Sequence, residues 1–384
     1  MTAGIISALL LSLPLLTGGG QEVTLLFAGD AMQHMPQVSA ATQADGSLDY
    51  SQCLLLVEPE IKQADYAVVN LECPLGGKPY SGFPRFSAPD QWAQQLMDSG
   101  FDLLLTANNH CLDRRDNGLR RTIAALDSIQ APHIGTYLSP DDRQARLPHI
   151  VDIKGVKIAM LCYTYGTNGI PPQGDVVVDL IDRQVMSHDI DSARSLGAQI
   201  VCVNLHWGVE YQTLPSSRQL DLADWLVYEK GVDLVIGGHP HVVQPMEMRH
   251  TPEGKDALVV YSLGNFISNQ TGADSRGGAI VKVTLTLGFT GEVASIKASY
   301  SLFFCQKPAK RSDTHQLIPA HRPDLVRPDS KAAFQTFIQN ARDLLGSHNV
   351  EVPEADPDAD AAPERPFLNL SLPATQSPDS TFCF

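Results

Sequence analysis

Positive charge is scarce in this 384-residue chain: 28 Lys and Arg stand against 43 Asp and Glu, a formal net charge of -15. That balance argues against nucleic acid as a partner, because its phosphates would be repelled. An anionic polymer is an awkward partner for the same reason, unless the site itself is locally cationic, and bound metal ions would provide that local charge. The seven cysteines are unevenly spaced and give no disulfide framework. Cys162 and Cys202 lie inside apolar runs and read as small core residues. Beyond the first residues nothing resembles a transmembrane helix, and no internal repeat is visible. With 43% hydrophobic and 18% charged residues, the chain has the composition of an ordinary globular protein. Its length permits a large core and one to three domains.

The start of the chain reads as a targeting segment. An apolar stretch from Ile5 to Leu16 is too short to span a bilayer comfortably, and the small residues Thr17-Gly18-Gly19-Gly20 follow it. No Lys or Arg precedes the stretch, so only the terminal amine is positive there. We expect a signal peptide over residues 1–20 and an exported protein, periplasmic or extracellular, held at the membrane if the segment stays uncleaved. The cleavage region holds no Cys, so a lipid anchor is not expected there.

From Val23 to about Tyr300, strand-like runs alternate with helical stretches. Amphipathic helices are expected over 91–99, 118–129, 181–196 and 216–230, the last closing at Gly231. This rhythm implies a largely parallel sheet covered by helices. Hairpins at Lys154-Gly155 and at Thr251 to Asp256, with a strand-only stretch from Ala279, add antiparallel pieces. The expected fold is α/β, two mixed sheets packed face to face with helices outside. The domain of interest spans 21–306, followed by an extension over 307–349 with a helix from Asp329 to Leu345. Residues 350–384 read as a disordered tail, because Glu354 to Ala361 offers little apolar surface to offset ordering entropy.

Five strand ends carry metal-type ligands. Gly29-Asp30 follows Leu25-Leu26-Phe27, Asn70-Leu71-Glu72 follows Ala67-Val68-Val69, and Asn108-Asn109-His110 follows Leu103-Leu104-Leu105. His206 follows Ile200 to Val203, and Gly238-His239-Pro240-His241 follows Leu234-Val235-Ile236. The carboxyl ends of parallel strands are where an α/β protein builds its site. A lone His on a strand is usually a satisfied core residue, but three at strand ends, two of them flanking a rigid proline, ask for another reason. Imidazole suits Zn or Fe, while carboxylate and amide oxygens suit Mn, so the mixed set points to divalent metal, one or two ions of Mn, Fe or Zn. Two ions about 3.5–4 Å apart can share a carboxylate, polarise a substrate and generate hydroxide near neutral pH. Beside them, His110 would be free to act as general acid to a leaving group.

These strings resemble the poly-gamma-glutamate capsule biosynthesis protein CapA family, as do His206-Trp207-Gly208-Val209-Glu210-Tyr211 and Ser262-Leu263-Gly264-Asn265-Phe266. The resemblance runs in order from about Val23 to Phe266, roughly two-thirds of the chain. It implies the calcineurin-like metallophosphoesterase fold, an α/β/β/α sandwich. It makes Asp30 a ligand of a first metal and Glu72 a bridging carboxylate. Asn109, His206 and His239 would hold the second metal, with His241 returning to the first and His110 as proton donor. The broader superfamily places a His where this chain has Met32, and His34 could replace it only by a different loop path. Trp207 reads as packing, Asp113 as a residue at a helix N-terminus, and Asn265 as a cleft amide or a turn. Glu210 either orients a ligand His or begins a helix. The implied function is hydrolase-type work in capsule or poly-gamma-glutamate production, on a phosphoester or an amide. The alternative is a non-catalytic accessory role guiding an anionic polymer during export, beside membrane-bound capsule synthesis proteins.

Overall fold

The computed structural model describes residues 21–310 and 313–357. The segment read as a signal peptide and the tail beyond Pro357 lie outside the described residues. Two mixed sheets carry the fold, one of eight strands and one of six. At the centre of the larger, Glu22–Ala31 runs parallel to Tyr66–Leu71, which is parallel to Leu103–Leu105 and then His133–Ile134. Its other side continues antiparallel through Gly277–Leu287, Val293–Gln306 and Gln316–Pro319. In the second sheet Val156–Thr164, Ile200–His206, Leu234–Gly238 and Asp256–Val260 are parallel neighbours. Antiparallel edge strands His149–Ile153 and Met246–His250 close it on either side.

The central strands read as unbroken apolar runs because both of their faces are buried. Alternate residues go to opposite sides. Leu25 and Phe27 join Met160, Cys202, Ile236 and Val260 in the layer between the sheets. Leu26 and Ala28 face Trp92, Leu96 and Leu126 of the helices Asp90–Asp98 and Arg115–Ser128. Across the second sheet, Leu161 and Tyr163 face Met186, Ile190 and Leu226. Helix, sheet, sheet and helix therefore stack as the four-layer sandwich the sequence implies. All four expected helices form, the last as Ser217–Asp224 continued by a π-turn over Trp225–Glu229, before Gly231 at φ 62°. Among the described residues six cysteines are buried and free, and no helix is long and apolar enough to cross a membrane.

Past residue 306 the chain stays on this core. Gln316–Pro319 is a strand that its four-residue length and flanking polar residues conceal in the sequence. Helix Lys331–His348 buries Phe334, Phe337, Ile338, Ala341 and Leu345, spaced along one face, in the cluster between the sheets. The stretch read as tail also begins differently from expectation. Val352 is 3% exposed, the amides of Met248 and Tyr300 donate to the carbonyls of Val350 and Pro353, and Glu354 pairs with Arg342 at 2.7 Å. Composition concealed this because backbone pairing and one buried valine suffice to hold the segment.

Candidate metal centre

The strand ends converge on one buried polar rim. Asp30, at the end of Glu22–Ala31, is fully buried; Asn70 Nδ2 donates to its Oδ1 at 2.8 Å and the His239 amide to its Oδ2 at 3.1 Å. His241 Nδ1 lies 3.1 Å from the same Oδ2. Burial opposes ionisation here, but His241, His206 and Asn70 overcome it and hold Asp30 well below the usual carboxylate range. Glycine is required alongside: a Cβ at Gly29 would meet Gly264 O at 2.0 Å, and one at Gly238 would meet Asp30 Oδ1 at 2.7 Å.

Glu72 is also fully buried, yet neither of its oxygens has a hydrogen-bond partner among the described residues. Its Oε1 lies 3.5 Å from His206 Nε2 and 3.8 Å from His241 Nε2. Burial, and then the charge of Asp30, push its carboxyl well above the ordinary value. A buried carboxylate without donors is costly, and a cation between it and the imidazoles removes that cost. His239 Nδ1 is likewise buried without a partner among the described residues. The donor set therefore fits divalent metal on this molecule's own geometry.

Ligand atoms of Asp30, Glu72 and His241 lie within 4.8 Å of one another, and so do those of Glu72, His206 and His239. Glu72 is the member common to both groups. Asn109 Oδ1 sits 3.0 Å from His206 Nε2, beside the second group. Burial keeps His206 and His239 neutral, lowering them to about 3 and about 2, and neutral imidazole is the form that ligates. Burial also disfavours charge on His241, but Glu72 and Asp30 prevail and raise it to about 9. A metal ion beside His241 would take the place of that proton. His239 and His241, on either side of Pro240, adopt φ of 97° and 60°. Left-handed backbone is strained for non-glycine residues, and such strain clusters at functional sites.

His110 lies outside these groups. Its Nδ1 is 2.7 Å from Asp113 Oδ2, and its ring meets Phe86 edge-on at 4.7 Å. Burial disfavours its protonation, but Asp113 and Glu72 outweigh this and raise its pKa. Asp113, read from the sequence as a residue before a helix, instead anchors this imidazole and accepts from the Phe86 amide at 2.7 Å.

Met32 is 1% exposed and packs in the core under the first sheet. His34 is in none of the ligand groups, and its Nδ1 engages Gln37 Oε1 at 3.2 Å and the Asn269 amide at 3.3 Å. Trp207 is a packing residue, its Nε1 donating to Tyr261 O at 2.8 Å. Exposed Glu210 brings its carboxylate within 4.8 Å of ligand atoms of His239 and His241, at the mouth. Asn265 Nδ2 donates to the carbonyls of Ser275 at 2.9 Å and His241 at 3.3 Å. Sequence reading placed Asn70 at a strand end without a role, and this residue ties Asp30 to His206 Nδ1 at 3.2 Å; the same reading missed Tyr165, whose ring lies 4.5 Å from that of His239. Tyr165 follows the strand Val156–Thr164, so its place at a parallel strand end was the available signal.

Fold and rim together define the class: a four-layer α/β/β/α protein with a candidate binuclear centre. Residues 24–270 match the family model described as bacterial capsule synthesis protein PGA_cap, and the chain belongs to that family. It is 27% identical over 282 residues to the capsule biosynthesis protein CapA of Bacillus anthracis, covering 69% of this chain and 64% of that relative. It is 29% identical over 273 residues to the PGA biosynthesis protein CapA of Bacillus subtilis (strain 168), covering 69% of this chain and 68% of that relative. The chain thus spans about two-thirds of the length of each. Among solved structures it is similar to the calcineurin-like phosphoesterase YfkN from Bacillus subtilis, with 14% identity, a TM-score of 0.43, and coverage of 84% of this chain and 98% of that one. The sulfate thiohydrolase SoxB of Thermus thermophilus gives 16% identity and a TM-score of 0.40, over 83% of this chain and 48% of that one.

Proposed function

We propose that this family member is an exported, metal-dependent hydrolase that cuts a phosphoester or amide bond during production of an anionic envelope polymer. The observation that carries the reading is Glu72, a fully buried carboxylate without a hydrogen-bond donor among the described residues, set between imidazoles on two sides. The names of the relatives, capsule and PGA biosynthesis proteins, supply the polymer context.

Asp30, Glu72 and His241 would hold one ion, and Glu72, His206, His239 and Asn109 the other. Bound ions would polarise the scissile group and activate water. Asn70 orients this set by donating to Asp30 and lying against His206. His110 protonates the leaving group, using the nitrogen that Asp113 does not occupy. Phe86 and Asp113 fix the ring, so the acid is placed before substrate arrives. Partners in this reading are an anionic polymer or phosphoester and membrane-bound capsule synthesis proteins.

Metal analysis of the purified protein, followed by turnover assays on phosphoesters and on poly-gamma-glutamate, tests the reading. Two ions with turnover support it, and a protein that takes up no divalent metal overturns it. One observation favours the accessory role instead: Met32 is packed in the core, which leaves the first group with three protein ligands. Polymer binding without turnover would decide for that role.

A further inference from the structure

Beside the rim, basic groups converge where an acid-rich chain would be expected to place carboxylates. The segment Asn265–Ile267 pairs with the end of Glu22–Ala31, setting Asn265 opposite Asp30, and the chain then leaves the rim through Asn269. Lys307 Nζ donates to Asn269 O at 2.6 Å, and His315 Nε2 lies 3.0 Å from Asn269 Oδ1. His34, four residues after Asp30, meets the same loop, its Nδ1 accepting from the Asn269 amide at 3.3 Å. Arg276 reaches the same neighbourhood, since its carbonyl accepts from the Cys305 amide at 2.7 Å and its guanidinium lies 4.9 Å from the Phe304 ring centre.

Neither Lys307 nor Arg276 forms a salt bridge with any described residue, although Arg143, Arg194, Arg249 and Arg342 all do. Among the described residues Arg276 Nε is buried without a partner, and so is Nδ1 of His315, a residue 1% exposed. Asp313, the acid on the neighbouring turn, is engaged by the amides of Ala309 and Lys310. Two half-buried cations in one neighbourhood raise the energy of the folded chain, and an anion beside them lowers it. Lysine supplies a point charge and arginine a planar fork, a combination suited to carboxylate or phosphate oxygens.

We propose that Lys307 and Arg276 form an oxyanion subsite beside the rim, with His34 and His315 holding the Asn269 loop behind them. It takes a carboxylate or phosphate of the polymer one unit away from the bond held at the metals. The location rests on the hydrolase reading above, whereas anion binding itself does not require turnover. This subsite resolves the mismatch between a chain of net charge -15 and an anionic substrate by making the approach to the rim locally positive.

The test measures binding of a short γ-linked glutamate oligomer, and of inorganic phosphate as competitor, to the full-length protein. Wild type is compared with Lys307→Gln, Arg276→Gln, the double variant and Arg276→Lys, with metal content determined for each. The double variant should lose about tenfold or more in oligomer affinity and show a flatter salt dependence, while metal content stays unchanged. Arg276→Lys keeps the charge and should retain most of the affinity. Displacement of the oligomer by millimolar phosphate would assign the subsite to phosphate, and persistence would assign it to carboxylate. If the double variant does not fold, Lys307→Gln alone decides the matter, since its amide can still donate to Asn269 O. Unchanged affinity in a folded variant, or a wild type that binds neither probe, overturns the subsite. A wild type without metal or turnover that still binds the oligomer through these residues would sink the hydrolase reading and leave the subsite standing.

Discussion

His110 and Asp113 form a buried pair, with Nδ1 and Oδ2 2.7 Å apart and both side chains at most 4% exposed. The pair fixes which ring nitrogen is free, because the carboxylate occupies the other. His110→Ala should leave metal content intact and reduce turnover by about 10²–10⁴-fold, the contribution of a positioned acid. Asp113→Asn should act in the same direction and less severely, as the ring remains but loses its anchor. The loss should shrink for substrates whose leaving groups need no proton. Metal analysis beside steady-state kinetics checks this, and loss of metal from His110→Ala would make His110 a ligand instead.

Glu72→Gln separates binding from folding. The carboxylate has no donor among the described residues and is held above its ordinary pKa by burial and by Asp30, so without metal it is a liability to the fold. The glutamine variant should therefore hold little metal and yet melt, in the presence of a chelator, at or above the wild-type temperature. Metal titration and thermal melts with and without chelator measure both arms. A chelated variant that melts well below wild type would show that Glu72 has a structural partner.

A half-buried arginine anchors the segment that carries Tyr165. Arg143 bonds Asp179 and Asp189, each at 2.5 Å, and Asp179 backbone atoms bond Thr164 and Gly135. Burial raises the Asp179 carboxyl to about 6 although Arg143 opposes this. Between the ordinary carboxylate value and about 6, the unfolded chain ionises while the folded chain keeps its proton, so stability falls as pH rises through that window. Arg143→Met removes the opposing charge, pushing the folded value higher and widening the window upward. We expect a loss of roughly 3–5 kcal/mol near neutral pH that shrinks towards pH 4, read from denaturant melts across pH. A deficit independent of pH would mean that Arg143 acts through packing alone.

Much of this was legible because each parallel strand is buried on both faces. Runs such as Leu103-Leu104-Leu105 end abruptly at polar residues, so the rim candidates stand out by contrast. The expected sandwich forms, and the structure brings Asp30, Glu72, Asn109, His206, His239 and His241 to one rim with His110 beside it. What stayed hidden depends on contacts across the sequence. Asp113 sits just before Arg115–Ser128, where an acid is ordinary, and only its approach to His110 and Phe86 gives it a role. Lys307 and His315 lie beyond the matching motifs, and nothing local says that they return to a loop beside Asp30.

The segment after Asn349 hides its role in the same way. Its composition suggests that it is dispensable, but Val352 is buried at 3% exposure and Val350 and Pro353 accept backbone bonds from Met248 and Tyr300. Arg342 adds a pair with Glu354, and since Arg342 is 46% exposed that contact contributes little. Burial of one valine with three backbone bonds, the third from the Val350 amide to Met246 O, contributes roughly 2–4 kcal/mol. A chain ending at Asn349 should therefore unfold at lower denaturant than the full chain, and Val352→Ala should reproduce part of the loss. Metal content should stay unchanged, because none of these residues approaches the rim. Equal midpoints for the shortened and full chains would show that the pairing adds nothing and that composition alone describes the segment.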